Sequence, residues 1–338
     1  MELQYAENFA VDYYEDGYKM LTTLPDSKRY LIVPEGQPVP QGLDEDVSIL
    51  QEPLQNIYLV ASGVMDMFAS VDAVEQIRFS GQKQENWYIQ TAKDAMAAGD
   101  MIYAGKYSKP DYELLVSEGC DLAIENRMIT HSPEVVEMLQ SFDIPVMIEY
   151  SSYEQHPLGK VEWVKFFGAL TGKEAEAEEA FAEQTEILEE VESGEKTGKT
   201  IAFFYVTSNG LIQVRQSTDY IPKLIELAGG RYIFENLEDS GSGRSTLNMQ
   251  VEDFYAGAKD ADILIYNSSI DGGVTTVDEL IGKCNILKDF KAVQEGQVYC
   301  TTNDMYQQSM AIGYLLQDMH TVLTDDDTAK LRYLFLLQ

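Results

Sequence analysis

Histidine is scarce in this chain. There are three in 338 residues, His131, His156 and His320, and the shortage narrows the chemistry at once. A dedicated zinc or manganese receptor gathers several neutral imidazoles with carboxylates, so three scattered rings argue against a resident metal. Cysteine is as sparse: Cys120, Cys284 and Cys300. None forms a C-x-x-C pair, and an odd number cannot close wholly into intramolecular disulfides. Buried free thiols are expected, with a Cys284–Cys300 bridge left open by the sequence. Basic charge is short too, 24 Lys+Arg against 57 Asp+Glu, a formal −33. Such a surface repels phosphate backbones and anionic headgroups, which argues against nucleic acid and acidic membranes as partners. Its simplest use is solubility. No run of eighteen apolar residues occurs, so no segment reads as a membrane-spanning helix. Met1-Glu-Leu-Gln-Tyr5 lacks the basic start and apolar core of an export signal.

Catalytic signatures are missing as well. No G-x-G-x-x-G follows a strand, and neither H-E-x-x-H nor G-x-S-x-G occurs. Gly99 to Lys106 approaches a phosphate loop. It has one residue too many between its glycines, and Tyr107 stands where Ser or Thr must hold magnesium. Gly241-Ser-Gly243 reads as a connector, and the many carboxylates nominate no acid pair by their spacing. The expectation is a binding protein without a cofactor rather than an enzyme.

What is present is 45% hydrophobic residues, enough for two cores in a chain too long for one α/β lobe. Phe9-Ala-Val-Asp-Tyr-Tyr14, Tyr18 to Leu24 and Arg29 to Val33 are separated by turn residues and read as an antiparallel meander. From residue 56 the pattern becomes strand, turn, helix. Asn56 to Ala61, Ile77 to Ser80, Leu122 to Ile124 and Pro145 to Glu149 alternate with amphipathic stretches. Gly159 to Leu170 and Ala175 to Val191 carry helical periodicity, interrupted at Thr171-Gly172. The alternation restarts at Thr200 to Val206 and runs to a closing helix at Gln308 to Leu323, with an apolar tail, Leu331 to Leu337, that packs back on the body. This order predicts an α/β fold of two Rossmann-like lobes with parallel sheets. The first lobe spans 1–157, with the meander in 1–55. A bridging helical segment spans 158–193, and the second lobe spans 194–338.

Particular segments then carry a family resemblance. Asn56-Ile-Tyr-Leu-Val-Ala-Ser-Gly-Val-Met-Asp-Met-Phe68 resembles the first strand and helix of the helical-backbone (class III) periplasmic binding proteins of ABC importers. Asp111 to Ile124 is similar to the helix and "P-D-L-V-I" strand of these receptors for iron siderophores, haem and corrinoids. Cys120 stands in the proline position. Asp143-Ile-Pro-Val-Met147, Leu224 to Phe234 with its Gly229-Gly230 pair, and Val293-Gln-Glu-Gly-Gln-Val-Tyr299 match further family segments. The meander at 9–53 departs from the minimal pattern. The resemblance implies a solute-binding protein that captures a metal chelate between its lobes and delivers it to the membrane permease. It also implies a monomer outside the cytoplasmic membrane, lipid-anchored, whose export segment is not in this sequence.

Strand ends supply the ligand candidates. From the first lobe these are Ser62, Trp87, Lys106, Tyr107, Arg127, His131, Tyr153 and His156. From the second they are Asn209, Arg215, Arg244, Asn267 and Tyr306. Aromatic rings would stack on a catechol, porphyrin or corrin face, and Arg or Lys would neutralise a chelate's negative charge. The resemblance further places permease-docking carboxylates at Glu113 and Glu252. The residues alone explain both as acids suited to helix N-termini. Two alternatives stay open: a receptor for free metal ions, and a tetrapyrrole- or metal-handling enzyme on the same scaffold.

Overall fold

The computed structural model of the chain describes residues 1–238, 245–268, 273–326 and 328–338. It divides into two compact units. Unit 1 holds Met1–Glu154, Leu158–Ala182 and Gln307–Met310, and unit 2 holds Gln155–Pro157, Glu183–Tyr306 and Ala311–Gln338.

Unit 1 opens with β1 (Phe9–Tyr13), β2 (Lys19–Thr23), β3 (Lys28–Val33) and β4 (Val47–Gln51), in that spatial order. The first three strands form the expected antiparallel meander, but β4 joins β3 in parallel. The long 34–46 connection makes this possible, because it carries the chain back before pairing resumes. Next come β5 (Ile57–Leu59), α1 (Val64–Ser70), β6 (Ile77–Ser80), α2 (Gln90–Ala98) and β7 (Ile102–Tyr103). A small hairpin, β8 (Gly105–Lys106) with β9 (Lys109–Pro110), precedes α3 (Tyr112–Ser117), β10 (Leu122–Glu125), α4 (Pro133–Ser141) and β11 (Val146–Ile148). The five strands order as β11-β10-β5-β6-β7, and every pair is parallel. Tyr58, Phe79, Ala123 and Val146 fill one sheet face, against Leu115 of α3 and Val135 and Leu139 of α4.

α5 (Pro157–Thr171) and α6 (Glu174–Glu192) follow as two helices, broken where Gly172 takes φ +71°; Leu158–Ala182 belong to unit 1 and the rest of α6 to unit 2. Phe9 packs edge-on against Trp163 and Phe166 of α5, at 4.9 and 5.3 Å, and so ties the meander to this helix. Two buried carboxylates complete the tie. Glu162 accepts backbone N–H bonds from Gln4, Tyr5 and Ala6 at 2.8–3.1 Å. Glu154 accepts from Glu7, Asn8 and the Trp163 indole.

Unit 2 contains β12 (Thr200–Val206), β13 (Ile212–Arg215), α7 (Tyr220–Leu227), β14 (Arg231–Tyr232), β15 (Thr246–Met249), α8 (Val251–Ala258) and β16 (Ile263–Tyr266). It ends with α9 (Val277–Lys283), α10 (Lys291–Gln294), β17 (Val298–Thr301), α11 (Ile312–Thr324) and β18 (Leu334–Leu336). The sheet is mixed. β12, β14, β16 and β17 pair in parallel, while β13 pairs antiparallel with both β12 and β15 at one edge and β18 pairs antiparallel with β17 at the other. The apolar tail is thus an edge strand. Asp318 of α11 fixes it by accepting the N–H groups of Arg332, Tyr333 and Leu334. Phe204, Val214 and Leu264 pack with Phe254, Leu280 and Phe290 in the unit's core. All three cysteines are free thiols.

Candidate functional site

In a parallel sheet every strand ends at the same edge, and that edge collects loops able to hold a ligand. In unit 1 the row runs from the segment after β11 to the segment after β7. After β11 stands Tyr153, and after β10 stands Arg127, whose guanidinium lies 4.6 Å from the Tyr153 ring centroid. Ser62, partly buried, follows β5. After β6 the chain carries Trp87 and Tyr88, and β7 ends at Tyr103, followed by Lys106 and Tyr107. Tyr88, Tyr103, Met128 and Tyr153 are 48, 40, 49 and 38% exposed. Exposed aromatic side chains of this size, gathered on one edge beside cations, suit a planar or apolar solute. Lys93 contributes from 5.9 Å above the Tyr88 ring.

The nominated residues of unit 1 divide by accessibility. Arg127, Lys106, Tyr153 and His131 are exposed, whereas Tyr107 is partly buried; His156, also partly buried, belongs to the short Gln155–Pro157 stretch of unit 2 rather than to unit 1. Trp87 is 1% exposed and donates its indole N–H to Ser80 Oγ at 3.1 Å. Its neighbour Tyr88 takes the exposed place instead. Tyr88 and Asn86 are held by one side chain: Gln307 accepts from the Tyr88 N–H and donates to the Asn86 carbonyl, both at 2.8 Å. Tyr88, Tyr103 and Met128 escaped the sequence reading. The available signal was position, since Tyr103 ends β7, Met128 lies three residues beyond β10, and Tyr88 lies in the connection that follows β6.

In unit 2 three nominated residues converge. Tyr306 accepts hydrogen bonds from Arg215 Nη2 and, at 2.7 Å, from Asn267 Nδ2. Arg215 is 8% and Asn267 3% exposed. The guanidinium also pairs with Asp219 at 3.3 Å, and the Arg215 backbone exchanges hydrogen bonds with the Tyr232 hydroxyl. Burial opposes the arginine's charge, but the Tyr306 oxygen and Asp219 outweigh it and keep the group protonated. Asn209 lies apart, exposed in the β12–β13 turn, where it accepts from Thr207 Oγ1. Arg244 lies outside the described residues. Glu113 and Glu252 occupy matching places, each exposed at the second position of the helix that precedes a central parallel strand, α3 before β10 and α8 before β16.

His320 is structural, with Nδ1 2.9 Å from the Ala228 carbonyl. Among the described residues, no three His, Cys, Asp or Glu side chains are grouped to hold a metal ion, and no helix is long and apolar enough to cross a membrane.

The chain belongs to the periplasmic binding protein family, whose model matches residues 67–305. An uncharacterised lipoprotein of Methanocaldococcus jannaschii is 24% identical to it, covering 95% of this chain and 81% of the relative. The periplasmic haem-binding protein HutB of Vibrio cholerae has the same fold, with a TM-score of 0.62 at 14% identity, over 79% of this chain and 98% of that one. So does a protein of the Fe3+-hydroxamate transport system of Saccharomonospora viridis, with a TM-score of 0.59 at 16% identity, over 80% and 93%. The family and these neighbours are substrate-binding proteins, not enzymes.

Proposed function

We propose that this chain is the extracytoplasmic receptor of an ABC importer, capturing a metal chelate (a ferric siderophore, haem or a corrinoid) and delivering it to the permease. The carrying observation is the strand-end row of unit 1. There Tyr88, Tyr103, Met128 and Tyr153 stand exposed beside Arg127 and Lys106, in a chain with more than twice as many acidic as basic residues. Rings and thioether would cover the flat or apolar part of a chelate, and the cations would meet its carboxylates or anionic oxygens. Unit 2 carries a further candidate donor. A phenol oxygen that already accepts from Arg215 and Asn267 retains its own O–H as a donor, so Tyr306 can give a hydrogen bond to a solute oxygen. The metal would remain inside its organic chelator throughout.

Glu113 and Glu252 would report occupancy to the permease by pairing with its arginines. The haem and hydroxamate transport neighbours support the solute class, and the lipoprotein relative supports a lipid tether at the outer face of the membrane. Calorimetric titration with ferric hydroxamates, ferric catecholates, haemin and corrinoids tests the reading. We expect saturation at one equivalent by one of these classes. A folded protein that ignores all four but takes up free ferric or zinc ion would overturn it in favour of a bare-ion receptor.

A further inference from the structure

Helices α3 and α4 turn Leu115, Val135 and Leu139 inward onto the parallel sheet of unit 1. Both also carry large apolar side chains that this packing leaves outside. Val116 is 47%, Met138 45% and Phe142 44% exposed. Helix geometry gathers them. Tyr112 and Val116 stand four residues apart on α3, and Met138 stands four before Phe142, the residue that caps α4, so each pair shares one side of its helix. The Tyr112 and Phe142 rings meet at 6.1 Å between centroids and join the two pairs into one patch. Exposed apolar side chains scattered singly are ordinary, but a continuous patch rimmed by polar groups marks an interaction surface.

The rim of this patch is acidic. Glu113 lies three residues from Val116 and Glu134 four from Met138, so each borders an apolar neighbour on its own helix, and Glu137 lies one turn beyond Glu134. All three are exposed. Glu134 also acts on Tyr112, whose hydroxyl is raised first by burial and then by that carboxylate. Neither helix carries a lysine or arginine to offset these charges, and Arg78 pairs with Glu118 at the far end of α3. The charges select the occupant. Two copies of this chain meeting at the patch would set like rims against each other, on chains of formal charge −33. An anionic membrane surface is repelled in the same way. The patch fits a protein surface with an apolar centre ringed by Lys or Arg.

We propose that the α3–α4 face docks on the outer face of the importer's permease, with Val116, Met138 and Phe142 as its apolar centre and Glu113, Glu134 and Glu137 meeting basic side chains around it. This rests on the function proposed above and widens the Glu113 contact into a surface. Surface plasmon resonance on the permease, held in lipid nanodiscs, would compare wild type with Phe142→Ser, Val116→Ser and Met138→Ser. Val39→Ser is the control, an equally exposed apolar residue on the connection before β4. We expect Phe142→Ser to weaken binding about tenfold or more and the other two patch variants about threefold or more, with Val39→Ser within about twofold of wild type. Added salt should weaken wild type more than the triple variant Glu113→Gln, Glu134→Gln, Glu137→Gln. Patch variants that bind as wild type does would overturn the proposal. So would a wild-type dimer in sedimentation that Phe142→Ser abolishes, because a second copy would then own the face. If Phe142→Ser fails to fold, Val116→Ser and Met138→Ser still decide. Intact permease binding by every patch variant removes this face alone and leaves the importer reading standing. A wild-type protein that ignores the permease overturns the importer reading, and this docking with it.

Discussion

Glu125 closes β10 fully buried, with neither carboxyl oxygen making a hydrogen bond, and this has a measurable cost. Its folded carboxyl titrates at about 8, against an ordinary 4.5, so between those values the folded chain holds a proton that the unfolded chain has released. The stability linked to this group is therefore fully present below pH 4.5 and is lost as pH rises toward 8. Relative to Glu125→Gln, wild type should lose about 1.4 kcal/mol per pH unit across that window and no more above it. Urea unfolding at pH 5, 7 and 9 checks this, and parallel profiles would refute it. Glu162 acts in the opposite sense. It stabilises, because it accepts three consecutive backbone N–H groups and lies 3.5 Å from buried Lys165. Glu162→Ala should cost roughly 3–5 kcal/mol in denaturant unfolding, as expected for a broken buried charge pair, and should free the Gln4, Tyr5 and Ala6 amides to hydrogen exchange. Single residues were unevenly legible. Arg215, Asn267 and Tyr306 were found from strand-end position alone, and they meet. Trp87 and Tyr88 sit side by side in sequence, and nothing there says which ring goes inward. That depends on Ser80 Oγ accepting the indole N–H, a contact seven residues away.

Elements were read best where they are long or strongly periodic. α5, α6, α7 and β16 stand where periodicity places them, within a residue or two. The β8–β9 hairpin was missed because two-residue strands carry no period. The antiparallel pairings of β13 and β18 were missed because strand direction is a property of the returning chain, not of the strand's own residues. Glycine shows what the hairpin requires. Gly105 has φ +90°, and a Cβ there would lie 2.3 Å from the Lys109 carbonyl oxygen. Gly105→Ala should therefore break the β8–β9 pairing and cost about 2–4 kcal/mol. It should also disturb the Tyr58 bond to the Gly105 carbonyl. Thermal unfolding measures the cost, and an unchanged melting temperature would contradict the strain.

At the scale of the whole molecule, family was legible because order and spacing of weak segments add up over more than two hundred residues. The solute was not, since it depends on which side chains the loops expose, and loop side chains carry no periodic signal. Docking belongs to this scale. Glu113→Ala with Glu252→Ala should lower uptake at least tenfold in a reconstituted importer, while solute affinity stays within twofold. Equal loss of both would make the two glutamates structural. The central claim, that this chain captures a metal chelate at the strand ends of unit 1, is tested most directly by calorimetric titration of wild type, Arg127→Ala and Tyr153→Ala with the chelate that saturates the protein. The account predicts one-to-one binding, weakened about tenfold or more, or roughly 1.4 kcal/mol, by each variant. Undiminished affinity in both variants would contradict it.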